Sequence, residues 1–171
     1  MKKVLYFLFF YLIFLPISAN EEIMLLKTKY GDVKIELFSD VAPNHVKRFK
    51  TLANEKKYDG VVFHRVIDGF MAQTGDPLGN GTGGSGQNIP AEFNSLPHIR
   101  GTVSMARAQD PDSADSQFFI CFEESSFLNN QYTVWGQVIE GMEHVDKIKR
   151  GEGSNGMVDN PDKIISMKLA K

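Results

Sequence analysis

Apolar positions fall mostly in short, β-rich runs separated by turn residues. Ile23–Thr28 and residues 33–38 flank Lys29-Tyr30-Gly31-Asp32, and this spacing predicts a hairpin. Within the second run Val33, Ile35 and Leu37 alternate with Lys34, Glu36 and Phe38, so one face of that strand is buried. Asp40-Val41-Ala42-Pro43 then opens a helix, because a proline in the first turn forgoes only an N–H that has no intrahelical partner. Val46, Phe49, Leu52 and Ala53 follow at helical spacing with Lys47, Arg48 and Lys50 outside, and the helix is expected to end near Lys57, before Asp59-Gly60.

Further strand-like runs occupy residues 61–67, 70–73, 102–106, 117–122, 133–138 and 164–169. A second helix is predicted over 142–149, stopped by Gly151 and Gly153. About eight short strands and two helices indicate a mostly β fold, a barrel or sandwich with helices at its ends. The elements do not alternate as a parallel α/β sheet would.

The chain has 171 residues, and its first 19 read as a separate segment. Met1-Lys2-Lys3 is a positive start, residues 4–15 are apolar, and Pro16-Ile17-Ser18-Ala19 ends in small residues. That layout predicts a secretory signal peptide cleaved after Ala19, and hence export to the periplasm. The alternative is an uncleaved membrane anchor, but the run is about 12 residues where a span needs roughly 20. No stable span is expected once the signal is removed.

Residues 20–171 then form one domain, large enough to bury a core. Removing Lys2 and Lys3 from the 19 basic residues leaves 17 against 21 acidic ones, a formal charge of −4. With no basic stripe, nucleic acid is not an expected partner. Cys121 is the only cysteine, so no internal disulfide forms, and its setting among Phe119, Ile120 and Phe122 predicts a small buried hydrophobe.

Several familiar chemistries lack their required patterns. Residues 79–86 are glycine-rich but have no Gly-Lys-Ser/Thr ending and lead into no helix, so they read as a flexible surface loop. His45, His64, His98 and His144 show no metal-ligand spacing. His64 reads as a hydrogen-bonded core group or a support behind a site. Asp110, Asp112 and Asp115 fall short of a calcium loop and read as a solvated turn. Ser85, Ser104 and Ser116 lie in no nucleophile-elbow context.

What remains is a mixed polar and apolar constellation. FHRVIDGFMAQTGD, residues 63–76, sets one Arg and one Gln among aromatic and aliphatic side chains, which suits either a core strand with a charged edge or half of an apolar pocket with a few aimed donors. GTVSMARA, DSQFFICF and TVWGQVIEGMEHVDKI carry further parts of the pattern. Together, in this order and spacing, these stretches resemble the cyclophilin family of peptidyl-prolyl cis-trans isomerases over nearly all of residues 22–171.

The resemblance implies a closed eight-stranded antiparallel β-barrel capped by two helices. It implies catalysis of rotation about X-Pro bonds in proline-containing peptides and in unfolded or folding proteins, without cofactor or metal. The sequence itself gives no sign of oligomers, so a monomer is expected. Arg65 matches the family's catalytic arginine. Phe70, Met71, Phe119 and Leu128 match the walls that take the proline ring, and Gln73 matches the glutamine that binds substrate and steadies the arginine. Ala106 and Arg107 match the segment beside the bound peptide, where the backbone at position 107 does the binding. Gln117 matches a further polar contact. Phe127 and Tyr132 stand where the best-known eukaryotic members carry Trp and His, as in many bacterial members. Phe127 keeps an aromatic wall but no indole N–H, so weak cyclosporin binding is expected.

From the residues themselves, alternation predicts that Phe118 and Ile120 face the core while Phe119 faces the other way. For Arg65 alone, an ion pair with Asp68 is the competing reading. A Pro-segment-binding chaperone or assembly module with incidental turnover is the alternative function.

Overall fold

The computed structural model describes residues 22–170. The segment read as a signal peptide lies outside them. Eight strands run in the order β1 (Ile23–Thr28), β2 (Gly31–Leu37), β3 (Arg65–Ile67), β4 (Met71–Thr74), β5 (Thr102–Met105), β6 (Phe118–Cys121), β7 (Val134–Glu140) and β8 (Ser166–Leu169). The helices are α1 (Pro43–Asn54) and α2 (Met142–Val145).

The expected hairpin is present. β1 and β2 pair antiparallel from Ile23↔Glu36 to Thr28↔Gly31, and the Thr28 hydroxyl donates to the Gly31 carbonyl at 3.0 Å across the turn. All strands join one curled antiparallel sheet in the order β3-β4-β6-β5-β7-β2-β1-β8. Expected closure into a complete barrel is not seen in this ladder, because β3 and β8 end it without pairing with each other. The run predicted at 61–67 is a strand only from Arg65 onward. Its first half meets residues 162–164 through a single bridge, Val62↔Lys163, and three backbone bonds: Phe63 N–H to Asp162, Gly60 N–H to Ile164 and Ile164 N–H to Val61.

Helix α1 has no capping side chain of its own. Glu92, from a distant loop, accepts the Asn44 and His45 backbone N–H groups at 3.1 and 3.0 Å. It satisfies donors left open in the first turn, and its charge suits the positive end of the helix. The helix ends at Asn54 rather than near Lys57. Lys56 adopts φ 57°, and the Lys57 N–H reaches back to the Leu52 carbonyl at 2.9 Å, a left-handed stop that closes the last turn. Helix α2 is also shorter than expected. Arg150 donates to the Asp146 and Ile148 carbonyls at 2.9 and 2.7 Å, taking over acceptors that a longer helix would use internally.

The core lies between the helices and the inner face of the sheet. Trp135 stacks on Phe49 with centroids 3.8 Å apart, and Phe118 meets Phe49 edge-on at 5.3 Å. Among the described residues no helix is long and apolar enough to cross a membrane.

Candidate active site

Strand β6 builds the site by alternation. Phe118 and Ile120 join the main core, whereas Phe119 and Cys121 join a second cluster with Met71 and Leu128. Phe70, Ala106 and Tyr132 pack on that cluster while remaining partly open. Adjacent strands add to the same outer face in register: Gln73 lies opposite Phe119, and Arg65 lies opposite Gln73. Period-two geometry thus brings a cation, an amide and an aromatic ring side by side on three neighbouring strands.

A cavity of about 280 Å³ opens over this face. Arg65, Phe70, Met71, Gln73, Ala106, Arg107, Phe119, Phe127, Leu128 and Tyr132 line it, so ten of the eleven expected site residues come together. Gln117, the eleventh, lines an adjoining cavity of about 290 Å³ that shares Gln73, Ala106 and Arg107 with the first. Met71, Phe119 and Leu128 are buried. Phe127 is 64% exposed and tilts against Phe70 with centroids 5.4 Å apart, so it forms rim rather than floor.

Arg65 is not an ion-paired surface residue. Asp68 pairs instead with Arg150, Oδ1 to Nε 2.9 Å. The Arg65 guanidinium donates through Nε to the Asn155 carbonyl at 2.9 Å and through Nη1 to Gln73 Oε1 at 3.1 Å. Gln73 Nε2 donates to Gln117 Oε1 at 3.0 Å, and Gln117 Nε2 donates to the Gly81 and Gly83 carbonyls at 3.1 and 2.8 Å. This relay fixes the plane of the guanidinium and leaves other N–H groups of the fork without a protein partner among the described residues. Burial pulls the Arg65 pKa below its usual value and Tyr132 opposes the shift; arginine remains a cation at any ordinary pH.

The glycine-rich loop is more firmly held than its composition suggests. Asp76 Oδ1 accepts the Leu78 N–H at 2.7 Å, and Oδ2 accepts the Asn80 and Gly81 N–H groups at 3.0 and 2.5 Å. Burial pushes the Asp76 carboxyl up, but backbone N–H groups of Leu78, Gly81, Gly83 and Asn80 outweigh this and hold it below its usual value. A Cβ at Gly83 would lie 2.1 Å from Asp76 Oδ1, so only glycine allows this approach. Asp115, expected in a solvated turn, instead accepts from the Ser85 hydroxyl and the Gly86 N–H and secures the far end of the loop.

Other contributors carried no sequence signal. Asn155 supplies a carbonyl to Arg65 from 90 residues away. Gly156 makes that turn possible, with φ 69° and a missing Cβ that would sit 2.3 Å from Ile67 Cγ1. His98 stacks behind Phe119 at 6.2 Å and is held by Asn129 and Ser104. His64 is buried, and neither ring nitrogen has a hydrogen-bond partner of good geometry among the described residues. Cys121 is fully buried, and burial pushes its thiol up to about 12, so it packs as a hydrophobe.

A family model described as cyclophilin-type peptidyl-prolyl cis-trans isomerase matches residues 23–169. The chain belongs to this family. A probable peptidyl-prolyl cis-trans isomerase of Brucella suis is 56% identical, with 87% of this chain and 83% of the relative covered. A peptidyl-prolyl cis-trans isomerase of Synechococcus elongatus is 41% identical over 85% of this chain and 94% of its own length. A cyclophilin-type isomerase of Cryptosporidium parvum, solved in the presence of the dipeptide Ala-Pro, superposes with a TM-score of 0.81 at 31% identity, covering 87% of this chain and 99% of that one. This cyclophilin is therefore a peptidyl-prolyl cis-trans isomerase, with an eight-stranded antiparallel sheet and two helices.

Proposed function

We propose that the cavity beside Arg65 is the catalytic site, that it takes proline-containing peptides and folding chains, and that the protein works in the periplasm after removal of residues 1–19. The observation that carries the site assignment is the cation held by the Gln73 and Asn155 contacts at the edge of an apolar cavity.

Rotation about an X-Pro bond makes and breaks no covalent bond. It must overcome about 18–20 kcal/mol, because twisting the amide destroys its resonance. The twisted amide has a pyramidal nitrogen with a free lone pair. A fixed donor aimed at that nitrogen stabilises the twisted state more than either planar state, which is differential binding of the transition state. Arg65 is the proposed donor. Met71, Phe119 and Leu128 are proposed to hold the proline ring, with Phe70 and Phe127 at the rim. The Gln73–Gln117 relay holds the donor in place, so no reorganisation is needed as charge develops. Ala106, the Arg107 backbone and Gln117 are proposed to contact the rest of the peptide. The presence of the dipeptide Ala-Pro with the Cryptosporidium parvum relative supports a proline-containing ligand.

The deciding experiment is NMR exchange on a short X-Pro peptide with wild type and Arg65→Ala. Loss of one preorganised donor is expected to lower kcat/KM by about 10²-fold, with unchanged thermal stability. Equal acceleration by both proteins would overturn the catalytic role. A binding module with incidental turnover would show peptide affinity that survives Arg65→Ala and exchange little above the uncatalysed rate in both.

Phe127 offers no N–H donor at the rim. Cyclosporin is therefore expected to inhibit weakly, and Phe127→Trp to tighten inhibition. Nanomolar inhibition of the wild type is the contrary result.

A further inference from the structure

The Arg107 side chain is held by several backbone carbonyls. Its Nε and Nη2 both donate to the Gln131 carbonyl, at 3.2 and 3.0 Å. Its Nη1 donates to the carbonyls of Ala108 and Gln109 at 2.9 and 3.1 Å. These contacts tie the segment leaving β5 to the segment entering β7 and fix the guanidinium plane. That cation lies 4.6 Å from the Tyr132 ring centroid and 5.9 Å from that of Phe93. Tyr132 in turn meets Phe119 edge-on at 6.0 Å. Tyr132 makes no other aromatic or cation contact among the described residues, and it lines the cavity beside Arg65.

We propose that the Arg107 side chain is a positioning residue: it clamps the Tyr132 ring against Phe119 and so sets how tightly this cyclophilin holds the peptide around proline. The guanidinium fork is what suits it to the task. Four of its five planar N–H donors reach three backbone carbonyls while one face stacks on a ring. Lysine has the charge but not the fork, and it would release the Gln131 carbonyl. A loose Tyr132 would have to be ordered by each incoming peptide, which weakens binding but leaves the chemical step at Arg65 intact.

This inference rests on Tyr132 being a wall of the substrate site. The test is a double-mutant cycle on Arg107→Met and Tyr132→Ala, with Arg107→Lys as a third variant and thermal denaturation as a folding control. Arg107→Met is expected to raise KM about threefold to tenfold, the scale of a cation–aromatic contact, with kcat changed less than twofold. Arg107→Lys is expected to behave like Arg107→Met, since charge alone does not restore the clamp. In the Tyr132→Ala background, Arg107→Met is expected to have no further effect, because interacting residues are not additive. An equal KM rise in both backgrounds overturns the inference, as does a fall in kcat at constant KM or no change at all. If Tyr132→Ala itself leaves KM unaltered, the site reading fails and this inference with it. If Tyr132→Ala raises KM but Arg107→Met does not, only this inference fails.

Discussion

The two faces of strand β6 carry similar residues to opposite ends. Phe118 and Ile120 point inward, where Phe118 packs edge-on against Phe49, Tyr58 and Trp135. Phe119 and Cys121 point outward, where Phe119 has Tyr132 at its edge, His98 behind it and an open cavity in front. Hydrophobicity does not distinguish Phe118 from Phe119. Completeness of surroundings does. A ring enclosed on all sides stabilises the fold, whereas a ring enclosed on all sides but one offers its last face to a ligand.

The sharpest way to break this comparison is to truncate both rings. Phe118→Ala is expected to cost about 3–5 kcal/mol of unfolding free energy, the usual range for a buried aromatic, read by urea denaturation. Phe119→Ala is expected to cost clearly less stability but to raise KM for an X-Pro peptide. Equal stability losses with unchanged KM would erase the distinction. On the outer face, Gln73→Ala removes the acceptor of the Arg65 Nη1 bond. Since bonds to charged groups are worth about 1.5–3 kcal/mol, about a tenfold or greater fall in kcat is expected, with melting temperature nearly constant.

A smaller effect, common to both faces, depends on pH. Burial is the leading cause that lowers the pKa values of His45, His64 and His98, with Glu92 and Asn129 opposing it at His45 and His98. The folded protein resists these protons while the unfolded chain takes them up near pH 6.5. Stability is therefore complete above about pH 6.5 and is lost as pH falls from there through the lowered folded-state values. Melting temperature is expected to be flat from about pH 8 to 7 and to fall below about 6.5. A profile that stays flat to pH 5 would contradict this. His64→Phe is expected to make the fall shallower, because it removes one of the buried rings that resist protonation.

Much of this was legible in the chain. The β1–β2 hairpin, the existence of both helices, every strand to within a few residues and the inward–outward alternation at residues 118–120 follow from period and turn chemistry, which are local properties. Ten of the eleven expected site residues meet in one cavity because their stretches resemble one family in order and spacing. The misreadings have two causes, one local reversal of the backbone and several contacts between distant segments. Helix α1 stops early because Lys56 turns left-handed, and Asp115 and the glycine-rich loop are ordered by each other across about 30 residues. Asn155 reaches Arg65, and Glu92 reaches the start of α1, through contacts that no local pattern announces.

By itself, then, the amino-acid sequence determined which segments are strands or helices, which faces are apolar and which few polar residues are out of place among them. Those facts depend on spacing of two or about 3.6 residues along the backbone. The tertiary structure alone decided how far the sheet closes, which carbonyls hold Arg65, how an internal carboxylate shapes the glycine loop and that Arg107 stacks on Tyr132. Each of these depends on groups distant in sequence meeting within a few ångströms, and such meetings are set by the packing of the whole sheet rather than by any stretch of it.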